Sequence, residues 1–183
     1  MDVNFKFTDP VKPDPIYIEQ VYAEKPGGGL VENPLFNVPP TTAVGEKDGK
    51  FAVIKSYRLV EAVAVGDTTI SIAKGSGVVV GDIIATGKKG VACTAVDKSA
   101  EDKDVVTVTL GVEIATGKVL YQAKAADATA AVPAIDPVYV TGNWLKANEG
   151  DQAVRLINGA NLRKETANIS AEIEVLLPTI KLV

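Results

Sequence analysis

From about residue 50 the chain breaks into short apolar runs separated by polar turns: "FAVIKSYRLVEAVAV", "TTISIA", "GVVV", "DIIAT", "GVACTAV", "DVVTVTLGVEI" and "KVLYQA". β-Branched residues dominate these runs, and Gly-Asp or charged turn signals recur every several positions. Thr69 and Ser71 alternate with Ile70 and Ile72, as Thr107 and Thr109 do with Val106 and Val108. A period of two gives each strand one wet face and one buried face. The pattern predicts a mainly β fold, with a compact β-barrel or sandwich-like core domain over residues 50–121.

The pattern differs on either side of this core. Residues 8–45 hold most of the chain's ten prolines and the run Gly27 to Gly29. Proline fixes φ and removes a donor, and glycine is costly to order, so this stretch favours extended or irregular backbone. Ile16, Ile18, Val21, Tyr22, Leu30, Leu35, Phe36 and Val38 make it too apolar to remain solvated. Residues 1–49 therefore read as an extended N-terminal arm. It lies over the chain's own core as a meander, or packs partly on a neighbouring subunit or partner. Residues 122–137, "QAKAADATAAVPAIDP", form an Ala/Pro connector, and residues 138–183 a C-terminal module. There "VYVTGNWL" and "AVRLINGA" pair as a β-hairpin, Ser170 caps a short helix that Pro178 stops, and "TIKLV" docks as a strand or an apolar tail. Two internal echoes, "IATGK" at 84–88 and 114–118 and "VAVGD" against "VVVGD", are too few for a solenoid and read as recurrent strand-turn chemistry.

Composition narrows the function. With 183 residues, 46% of them hydrophobic, the chain can bury a sizeable core. A net charge of -4, with lysines and arginines scattered singly or in pairs, argues against a nucleic-acid partner. No run approaches the ~18 apolar residues of a spanning helix, and "MDVNFKFTDP" lacks the regions of a signal peptide, so no membrane partner and synthesis in a reducing cytoplasm are expected. The lone Cys93 fits that compartment. Histidine is absent, which removes the commonest general base and the commonest transition-metal ligand.

Candidate chemistry is thin. "GDIIATGKKG" fails as a phosphate-binding loop, since five residues separate Gly81 from Gly87 and Lys89 stands where a magnesium-binding Ser or Thr is needed. Ser76 has no histidine to activate it. Asp97, Glu101, Asp102 and Asp104 in "DKSAEDKD" lack calcium-loop spacing and read as a solvated hairpin tip. Glu149 and Asp151 flank a turn at Gly150, with Glu165 further on, which leaves a carboxylate-dependent hydrolase as a third reading. The sequon at Asn168 carries no weight without a secretory signal. No catalytic, metal or cofactor-binding residue is assigned, and no cofactor is expected. Trp144 is a core anchor or an interface anchor; Arg155, Arg163 and Tyr139 in the same module suit the latter, because Trp, Tyr and Arg dominate binding hot spots.

From "NPLFNVPPTTAVG", through "YRLVEAV", "IAKGSGVVVGD", "VACTAVD", "DVVTVTLGV" and "KVLYQA", to "VRLINGANLRKETANI", the chain resembles the head-fibre and head-decoration proteins of tailed bacteriophages and prophages of gut bacteria. The resemblance covers nearly everything after about residue 30. It implies a non-enzymatic virion structural protein, made in the bacterial host cytoplasm, that decorates the outer capsid surface by binding the major capsid protein. It also implies a homo-oligomer, of which a trimer suits a shell's local symmetry. The chain lacks heptads and collagen repeats, so a compact knob is expected rather than a shaft. Leu35, Phe36, Trp144, Arg155 and Arg163 are the residues expected to bind the partner. The alternative is a carbohydrate- or surface-binding β module, with aromatics near Trp144 or Tyr139 lining a groove.

Overall fold

The computed structural model describes residues 15–183, which form a mainly β protein with one short helix. The largest sheet is built from both ends of the chain. Strands β1 (Ile18–Glu24), β2 (Gly29–Val31), β3 (Ala43–Lys47) and β4 (Lys50–Val53) join β12 (Tyr139–Thr141), β13 (Gln152–Val154), β14 (Leu156–Leu162) and β15 (Ile180–Leu182). The order is β1-β14-β12-β3-β4-β2-β13, and β15 pairs parallel with β14 beyond the end of β12. This sheet curls into a half-barrel.

The stretch expected to be an arm thus supplies three strands, and its described part packs on this chain. β1 runs antiparallel to β14, from Ile18 opposite Leu162 to Glu24 opposite Ile157, with three register shifts that bend it around the sheet. Ile18 and Val21 turn inward against Leu162, Ala160 and Ile180. The part of the arm before residue 15 lies outside the described residues. Strand β4, which texture placed in the core domain, pairs with β3 instead, through a tight turn at Asp48 and Gly49, both at positive φ.

Between β4 and β12 sits an inserted β unit with two small sheets. Strands β5 (Ser56–Arg58), β7 (Ile83–Thr86), β8 (Lys89–Ala92) and β11 (Val119–Ala123) pair in the order β5-β11-β7-β8, and β6 (Thr69–Ala73), β9 (Ala95–Asp97) and β10 (Lys103–Thr107) in the order β6-β10-β9. The two sheets enclose Tyr57, Leu59, Ile72, Ile84, Val106, Leu110 and Leu120. Ala85, Tyr121 and Ala123 from the insert reach the core under β14, so the two parts share packing. The insert enters and leaves side by side, with the Gln122 amide donating to the Lys55 carbonyl at 2.9 Å.

The period-two pattern holds with one instructive exception. Ile70, Ile72 and Val106 are buried and Thr69 is exposed, but Ser71 is buried too. The chain around Val60 crosses over it: the Val60 amide donates to the Ser71 carbonyl, and the Glu61 carboxylate takes a bond from its side chain. The Ala-rich connector covers β8 and β11, its backbone bonded to Lys88, Gly90, Gln122 and Lys124.

α1 (Ala171–Leu176) begins where the Ser170 hydroxyl accepts the Ile173 amide at 3.3 Å. Its one buried side chain is Ile173. After Pro178 the chain enters β15, so the final apolar residues complete the sheet under the helix.

Candidate functional site

Two loops from opposite ends of the sequence are zipped together at one end of the large sheet. Asn33 exchanges bonds with the facing loop: its amide donates to Asp151 Oδ1 (3.0 Å) and its Oδ1 accepts the Gly150 amide (3.1 Å). The Asn148 amide donates to the Pro34 carbonyl (2.9 Å), and the Ala147 amide to Asn37 Oδ1 (3.0 Å). Val38 and Leu145 exchange backbone bonds in both directions, 2.9 and 3.0 Å, and both are buried. Lys50 then closes on Asp151 Oδ2 at 2.5 Å. That ion pair and the Asn33 amide hold the Asp151 carboxyl below its ordinary range, and Asp151 raises Lys50 in turn.

The zipped loops hold two of the expected partner-binding residues outward. Leu35 is 79% exposed although its neighbours are fixed. Phe36 points the other way, partly buried against Gly77, whose added Cβ would lie 2.3 Å from the Phe36 ring. Trp144 is 46% exposed and meets Tyr17 edge to face, with ring centroids 6.1 Å apart and planes at 87°. Arg155 and Arg163 flank β14, and each reaches back to β1: Arg155 pairs with Glu24, and Arg163 with Glu19 at 2.5 Å. The five residues therefore divide. Leu35 and Trp144 are presented by the loops, Phe36 packs behind them, and the arginines fasten β1 to the strand it covers.

Beside Leu35 runs a groove of about 680 Å³ at the seam between the large sheet and the insert. Ala52, Val53 and Ile135 give it apolar walls, and Lys47, Lys55, Lys74 and Lys98 line it with positive charge. Lys47 pairs with Glu32 at 3.4 Å and Lys74 with Asp104 at 3.0 Å. Lys98 makes no side-chain bond among the described residues.

Behind the groove lies a polar cluster built on the buried Asp82. Its carboxylate accepts from Lys55 Nζ (2.8 and 3.0 Å), the Tyr57 hydroxyl (3.0 Å), the Val79 amide (3.0 Å) and Gln122 Nε2 (3.3 Å). Burial, and then the adjacent carboxylate, push the Tyr57 phenol far above its ordinary range and keep it neutral. Cys93 nearby is buried, and burial raises its thiol as well. With these donors converging on it, the carboxylate ties β5, β7 and β11 together.

The other acidic candidates are dispersed. Asp151 is committed to the loop zip, and Glu149 faces Lys146 at 3.5 Å. In "DKSAEDKD", Asp97 accepts the Ser99 amide, but Asp104 is only 2% exposed, so the tip is not wholly solvated as its composition suggests. Lys74 explains the burial: its ammonium lies against Asp104 and donates to the carbonyls of Lys98 and Ala100, pulling the tip onto the insert. Among the described residues no three His, Cys, Asp or Glu side chains gather in a metal-binding arrangement, and no helix is long and apolar enough to cross a membrane.

Sequence reasoning missed Asn33, Asn37, Asp82 and Lys98. The first two stood in a Pro-rich stretch where Asn reads as a turn former, and nothing local joins them to residues more than a hundred positions away. Asp82 did leave a trace. In both "VAVGD" and "VVVGD" the Asp carboxylate accepts the amide three residues back, Asp67 from Ala64 (2.7 Å) and Asp82 from Val79 (3.0 Å), so the echo marks one turn used twice.

Comparisons with known protein families, characterised proteins and solved structures return no match to this chain.

Proposed function

We propose that this protein is a non-enzymatic structural protein of a tailed-phage virion that decorates the outer capsid surface by binding the major capsid protein. The observation that carries the reading is the zipped loop pair, which presents the half-exposed Trp144 on a backbone already fixed by bonds in both directions. An anchor that is ordered before binding loses little freedom on association, which favours protein recognition. The resemblance of the chain to head-decoration proteins supplies the kind of partner. Many copies on a repeating shell turn modest contacts into high occupancy wherever neighbours also touch.

The carbohydrate-binding reading receives less support from the aromatics. Trp144 meets Tyr17 edge to face, and Tyr139 is similarly edge-on to Phe51 at 84°, so neither pair offers two parallel faces to a sugar ring.

Co-sedimentation with purified undecorated capsids, run beside a glycan array, separates the two. The wild type is expected to pellet with capsids and to leave the array blank. Trp144→Ala should weaken capsid binding at least tenfold with a melting temperature close to wild type. Array binding without capsid binding would overturn the proposal.

A further inference from the structure

Among the described residues the two most exposed large hydrophobic side chains are Leu35 and Val175, each 79% exposed, and they sit in opposite electrostatic settings. Leu35 stands at the lip of the groove lined by four lysines, with Val79 half exposed beside it. Val175 projects from α1, next to the half-exposed Leu176, on a helix that carries Glu172 and Glu174 and no basic residue. Both glutamates are held in place: Glu172 Oε1 accepts the Gly87 amide at 2.6 Å, and Glu174 Oε1 the Leu182 amide at 2.9 Å. The chain thus displays a basic apolar recess and an acidic apolar projection. Ile173 and the C-capping Leu177 secure the helix inward, and among the described residues Val175 stays largely uncovered and Leu176 half covered.

We propose that these two surfaces meet between copies: α1 of one molecule seats in the Leu35 groove of the next, with Val175 and Leu176 against Leu35 and Val79, and Glu172 or Glu174 facing the unpaired Lys98. Charge complementarity selects a second copy over an arbitrary apolar partner: among the described residues the recess sets four lysines against Glu32, Asp82 and Asp104, and α1 itself carries two acids and no base, with Arg58, Lys118 and Lys164 confined to the groove on its other side. Lys47, Lys55 and Lys74 already face Glu32, Asp82 and Asp104, so among the described residues Lys98 is the groove's cation left to receive the incoming charge. The contact joins two different patches, so it is head to tail and extends until rotation closes a ring.

Sedimentation of the full chain without capsids tests this separately from the decoration reading. The wild type is expected to show a mass above one chain that grows with concentration. Leu35→Asp and Val175→Asp should each sediment as monomers with unchanged melting temperature, since both side chains lie in solvent. An equimolar mixture of the two variants retains one good groove and one good helix, and should yield a two-chain species and nothing larger. A monomeric wild type at every concentration, a Val175→Asp protein that keeps the wild-type mass, or a mixture that stays monomeric would each overturn the proposal.

Discussion

At the scale of single residues, stability and presentation are joined at Gly77. Its φ of +72° is a conformation that side chains rarely adopt, and the Phe36 ring occupies the space a Cβ would need. Gly77→Ala should therefore cost about 1–3 kcal/mol, read as a lower melting temperature, and should loosen the loop that holds Leu35. An unchanged melt would mean that Phe36 moves aside freely. Asp151 makes the loop zip sensitive to acid. Its carboxyl titrates below its ordinary range, so the stabilisation is fully present above the unfolded value, near pH ~3.9, and is lost as pH falls through the lower folded value. The melting difference between wild type and Asp151→Asn should thus be constant near neutrality and vanish in strong acid. A difference that grew on acidification would contradict the assignment. Residue types made only part of this legible. Trp144 read as a core anchor or an interface anchor, and at 46% exposed it is not closed into the core; exposure such as that of Leu35 follows from which neighbours are tied down, and those ties run to the far end of the chain.

At the scale of elements, β1 shows how a Pro-rich entry segment is kept in a sheet. Backbone pairing to β14 is interrupted by three irregularities, and two side-chain clamps, Glu19 to Arg163 and Glu24 to Arg155, sit near its ends. Both pairs are partly exposed to water, so a double-mutant cycle on Glu19 and Arg163 should return a coupling of about 0–1 kcal/mol, weaker in high salt. A coupling of several kcal/mol would mean that the pair is shielded from solvent. Elements governed by local chemistry were readable in advance: the Ser170 cap, the stop at Pro178, the alternation in β10 and, Ser71 apart, in β6, and the pairing of "VYVTGNWL" with "AVRLINGA". The pairing of β1 with β14, about 140 positions apart, was not, because proline and glycine advertise irregular backbone without naming the edge it will cover. The Asp48-Gly49 turn was a readable signal that the texture of the surrounding run obscured.

At the scale of the whole molecule, a half-barrel drawn from both ends of the chain carries an inserted β unit between β4 and β12, and the seam between them is where the lysine groove opens. Hydrophobic periodicity could predict a mainly β fold because it reports which faces are buried. It could not report that distant segments share one sheet, since that depends on which strands meet. The proposed function places this body on a phage shell, where the number of attachment positions is fixed by the lattice of capsid subunits. The most direct test is a binding isotherm of the wild-type protein on purified undecorated heads, read as bound copies per head by quantitative gel densitometry after sedimentation. The account predicts saturation at a fixed number of copies commensurate with the symmetry of the shell, with bound protein accessible to antibody from outside. Binding that never saturates, or no binding by a protein whose cooperative melt shows it folded, would contradict it.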